Sequence, residues 1–139
     1  MNKVIVFLIP TLTAAISMWL LAGLWHKIMA AAFYTAEVGA THEDTGIIFV
    51  AYLILASLMV YLYSFYTKSE RFLIEGFKFG AIIGLLWVFP HELAMAGAHE
   101  KSLSYVFKNA LWHMVEQGVG GIIIALVYHR YCNRDNLFY

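Results

Sequence analysis

Five ionisable side chains lie inside runs that are otherwise apolar: His26, His91, Glu92, His113 and Glu116. His113 and Glu116 form an H-x-x-E pair within "VFKNALWHMVEQGVGG", and on a helix that spacing places both on one face. The stretch "WVFPHELAMAGAHE" carries a His-Glu pair twice, His91-Glu92 and His99-Glu100, with Pro90 ahead of the first. Imidazole nitrogens and carboxylate oxygens at one depth suit a first-row transition metal such as zinc, iron or copper. In that reading His91, His113 and Glu116 ligate the ion, Glu92 or His26 completes the set, and Asn109 and Gln117 orient the ligands. Carboxylate-bridged metal sites in helical bundles use Glu-x-x-His, normally twice, whereas this chain has one pair in the reverse order. The same residues suit a proton relay, because histidine titrates near neutrality and intramembrane carboxylates mark ion pathways. Haem held by two facing histidines, for example His91 and His113, is a lesser alternative. The plain structural alternative is that these groups hydrogen-bond one another and fix helix register, at about 0.6 kcal/mol per bond in a membrane.

The elements that must position these groups are membrane helices. The chain has 139 residues, 62% hydrophobic and 13% charged, with a mean hydropathy of +0.71. A soluble domain of this size leaves too much surface exposed to hide that apolar content. A helix needs about 20 apolar residues to cross the hydrocarbon core. Four segments qualify: from Val4 or Thr11 to Trp25, then about Gly46 to Tyr66, Phe72 to Ala96, and Tyr105 to Tyr128. The predicted fold is all-α: residues 1–139 as a single domain, an integral membrane bundle of four antiparallel helices. The N-terminal run "MNKVIVFLIPTLTAAIS" has signal-peptide features but reads as the start of the first span. The first helix has no breaker until Gly39, so His26 lies either beyond the span or deeper within it. Asp44 or Thr45 can cap span two, "TKSE" at Thr67–Glu70 is a capping box for span three, and Ser102 or Ser104 can cap span four.

Basic residues set the orientation. Lys3, Lys68, Arg71, Lys78, Arg130 and Arg134 fall on the side of the termini, against Lys27, Lys101 and Lys108 on the other. Both termini are therefore expected in the cytoplasm, with the protein in the inner membrane of a bacterium. Histidines and acids concentrate in the opposite, outer half. Span three carries Gly76, Gly80 and Gly84 at four-residue spacing, a stripe that lets helix backbones approach closely. Continued through Trp87 and His91, that face places His91 on the packed side, and Pro90 is expected to kink the helix. Span four shows a polar stripe of Asn109, His113, Glu116, Gln117 and Gly120, which must face the interior or water. Trp19, Gly23 and His26 share a face of span one, whereas span two reads as a packing and lipid-facing span.

Several functions lack support. Nine basic and nine acidic residues leave no basic stripe for nucleic acid. The lone cysteine, Cys132, permits no internal disulfide. There is no G-x-S-x-G and no phosphate loop, and Ser17 and Ser57 have no base near them in sequence. His42-Glu43-Asp44, His99-Glu100-Lys101 and His129 read as solvated loop or helix-end groups. Beyond the lipid bilayer, the glycine-striped faces allow a homo-oligomer or an accessory subunit of a larger membrane complex.

The chain resembles a group of small four-helix bacterial membrane proteins classed as domains of unknown function. The resemblance rests on "AGLWHKIMAAAFY", the acidic loop after it, "FLIEGFKFGAIIGLLW" and "VFKNALWHMVEQGVGG". It implies the four-helix membrane fold and carries no activity.

Overall fold

The computed structural model describes residues 3–33, 44–65, 70–99 and 102–131, and among these every extended element is helical. Helix α1 spans Lys3–Leu24 and passes into a π-helical turn at Trp25–Met29. Helix α2 spans Thr45–Tyr63, α3 spans Phe72–His99 and α4 spans Leu103–Tyr131. Four helices are long and apolar enough to cross a membrane. Large apolar side chains stay exposed on each of them, among them Leu20, Ile54, Leu86 and Leu111, which is what a lipid-facing surface requires.

Helix starts follow the residues that can satisfy free backbone amides. Asp44 accepts from the Gly46 and Ile47 amides at 2.9 and 3.1 Å and caps α2. Ser102 Oγ accepts from the Tyr105 amide at 3.1 Å and caps α4. The expected capping box at Thr67–Glu70 lies outside the described residues except for Glu70, as do His42, Glu43, Glu100, Lys101 and Cys132.

Helix α4 is the organising element. It packs most extensively against α3, then against α1, and α1 in turn packs against α2. The α3–α4 contact is backbone on backbone. A methyl group at Gly76 would sit 2.7 Å from the Ala125 Cβ, one at Gly80 would overlap the Gln117 backbone, and one at Gly84 would overlap the His113 carbonyl. The glycine stripe is thus used within the chain. Away from this seam, Ala14, Ala15, Met18, Leu55, Ala56, Met59, Val60, Phe79 and Ile124 form one buried apolar cluster.

The packed face of α3 departs from the expected one. Its buried residues continue in steps of four, Gly76, Gly80, Gly84, Val88 and Ala96, with Glu92 half-buried between the last two. Trp87 is 51% exposed and His91 is also exposed. The physical reason lies in the packing row. Helices that interlock along a four-residue ridge keep contact at i+4, whereas the step from Gly84 to Trp87 to His91 follows a seven-residue seam. Pro90 lies inside α3, and the helix continues past it to His99.

Candidate functional site: a buried carboxylate cluster

The polar stripe of α4 is buried. Asn109 is 5% exposed and Glu116 and Gln117 are fully buried, with the His113 side chain 13% exposed. A carboxylate at this depth costs several kcal/mol unless the protein surrounds it with donors. Glu116 has them. Trp112 Nε1 donates to its Oε2 at 2.9 Å, and Gln117 Nε2 donates to its Oε1 at 2.9 Å. Tyr52, from α2, also hydrogen-bonds the carboxylate. Neither indole nor amide N–H can accept a hydrogen bond, so both are fixed as donors to this acid.

His113 lies one helical turn before Glu116, with Nδ1 3.9 Å from Oε1. That is beyond a direct hydrogen bond. His113 Nδ1 and Gln117 Oε1 are buried polar atoms with no hydrogen-bond partner. Gln117 Oε1 lies against α3 at Gly84, where a methyl group would approach it to 2.9 Å. The absence of a side chain at Gly84 leaves room for that amide. The cluster is therefore carried by α4, donated to by α2 and backed by the glycine seam of α3.

The π-helical turn supplies the fourth wall. The Ala30 amide bonds to the Trp25 carbonyl at 2.8 Å, a five-residue closure that widens the turn. Within this turn, Trp25 stacks on Trp112 with ring centroids 4.3 Å apart and planes 6° from parallel. His26 faces His113, with centroids 6.5 Å apart and planes inclined at 46°.

Of the five residues singled out in the sequence, the structure brings His26, His113 and Glu116 to one region of the bundle. His91 is exposed on α3, and Glu92 is half-buried on the packed row of that helix. Among the described residues, no three or more of His, Cys, Asp and Glu are grouped so as to hold a metal ion. Sequence reasoning does not single out Trp112, and Tyr52 falls in span two, read as a packing and lipid-facing span. Trp112 carries a usable signal, since it precedes Glu116 by four residues on one helix face. Tyr52 carries none, because its partner lies on another helix. Ser17 and Ser57 donate to the Thr13 and Leu53 carbonyls of their own helices at 2.8 and 2.7 Å, which ties up both hydroxyls. His129 stacks on Phe72 with centroids 4.0 Å apart.

The chain matches no family model, no curated protein and no solved structure.

Proposed function

We propose that this chain is an integral membrane bundle of four antiparallel spans with both termini on the cytoplasmic side of a bacterial inner membrane. We further propose that it handles protons through Glu116 and His113 in the outer half of that bundle. The observation that carries the reading is a fully buried carboxylate, met by Trp112, Gln117 and Tyr52, with the His113 imidazole nitrogen 3.9 Å away. Intramembrane acids are retained where they transfer protons or ions. A proton leaving the Glu116 carboxyl for His113 Nδ1 converts acid and imidazole into carboxylate and imidazolium, and the return step restores them. Transfer needs heavy atoms about 2.6–3.2 Å apart or one bridging water, so a small imidazole rotation or a single water completes the path. His26, its ring centroid 6.5 Å from that of His113, extends the route toward the end of the first span.

This reading is favoured over a metal centre because, among the described residues, no three or more of His, Cys, Asp and Glu are grouped so as to hold a metal ion, and His91 is exposed on α3. The experiment is proton uptake by proteoliposomes with an entrapped pH dye under an imposed potassium diffusion potential. Native protein should conduct protons above the leak of empty vesicles. Glu116→Gln should abolish that flux, and Glu92→Gln should retain it. Native flux no greater than that of empty vesicles, or unchanged flux in Glu116→Gln, overturns the reading.

A further inference from the structure

On the outside of the bundle, against the same stretch of α4, a cavity of about 580 Å³ opens between that helix and the π-helical turn. Its volume falls within the roughly 300–1,000 Å³ usual for small-molecule sites. The stacked Trp25 and Trp112 rings form part of the wall, with Phe33, Leu111 and Val115 adding apolar surface. Leu111 is 62% exposed and Val115 46%, so the rim opens sideways onto the surface that lipid covers. Among the described residues the lining contains one charged residue, Lys108, and no carboxylate. Lys108 Nζ lies 4.4 Å above the Phe33 ring, at the end of the groove nearest the start of α4.

We propose that this groove binds one anionic phospholipid, with an acyl chain along the Trp25–Trp112 wall and the lipid phosphate on Lys108. The apolar walls match an acyl chain, and the lateral opening admits one directly from the bilayer. Lys108 lies five residues into α4, about 8 Å from its first residue at 1.5 Å per residue, within a lysine side chain's reach of the headgroup layer. An ammonium on a lining that is otherwise uncharged among the described residues selects a net negative headgroup over a zwitterionic one. Trp112 is the residue that the groove shares with the polar cluster: it lines the groove and its Nε1 donates to Glu116. The lipid assignment stands on the groove alone and does not depend on proton transfer.

The test is native mass spectrometry of the full chain released from bilayers of equal phosphatidylglycerol and phosphatidylcholine. One phosphatidylglycerol should stay bound per chain, in preference to phosphatidylcholine. Lys108→Ala should lower that retention roughly fivefold, the weight of one lysine at an anionic surface. Lys78→Ala should leave it unchanged, since Lys78 pairs with Glu75 on α3, away from the groove. Val115→Trp, which fills the groove without changing charge, should lower retention of either lipid. Equal retention of the two lipids, full retention in Lys108→Ala or in Val115→Trp, or equal losses from Lys108→Ala and Lys78→Ala each overturn the proposal.

Discussion

At the scale of the residue, the structure separates histidines and acids of similar appearance by their surroundings. Glu116 is enclosed by donors from two helices, whereas His91 meets the surface. Trp112→Phe keeps an aromatic ring against Trp25 but removes the Nε1 donor together with part of the indole's stacking area. A hydrogen bond to a charged group contributes about 1.5–3 kcal/mol, so this variant should melt several degrees lower in lipid nanodiscs. His91→Ala removes an exposed side chain and should change stability by no more than about 0.5 kcal/mol. The reverse order of effects in thermal melts would mean that α3 packs through His91 after all. The burial of the α4 stripe is legible in the sequence because several polar residues recur at helical spacing in one apolar span. The Tyr52 contribution is not legible, because an isolated tyrosine among apolar residues gives no indication of which neighbouring helix it meets.

At the scale of the element, the α3–α4 seam is the contact most sensitive to added atoms. Gly80 faces the Gln117 backbone, which cannot yield as a flexible side chain would. Gly80→Leu should therefore destabilise by about 1–3 kcal/mol or more. Gly97, on the same helix, has open space where a methyl group would sit, with no atom within 4 Å. Gly97→Ala should be neutral or stabilising by up to about 1 kcal/mol, because alanine is the better helix former. Thermal melts of the two variants side by side would settle whether close approach, and not glycine content, matters. The glycine stripe is readable from its spacing. Its continuation is not, because a period of four and a period of three-and-a-half diverge only after two turns. The π-helical turn is unreadable, since "HKIMAAAFYTAEVGA" has no breaker before Gly39. The widened turn carries the stack of Trp25 on Trp112, a tertiary contact that no local pattern records.

At the scale of the whole molecule, four membrane-length helices are legible from hydropathy alone, because lipid demands long apolar runs. The proposed topology predicts that Cys132, beyond the fourth span, reacts with a membrane-impermeant maleimide only in inverted vesicles. A cysteine placed between the first two spans should react only in right-side-out vesicles. Reaction of both from the same face would break the four-span arrangement. If Glu116 exchanges a proton inside this bundle, as proposed, infrared titration in nanodiscs reads the exchange at the carboxyl itself. Native protein should show a protonated-carboxyl stretch that comes and goes with pH and is missing from Glu116→Gln. A spectrum with no titrating carboxyl, or one in which the band survives in Glu116→Gln, would contradict it.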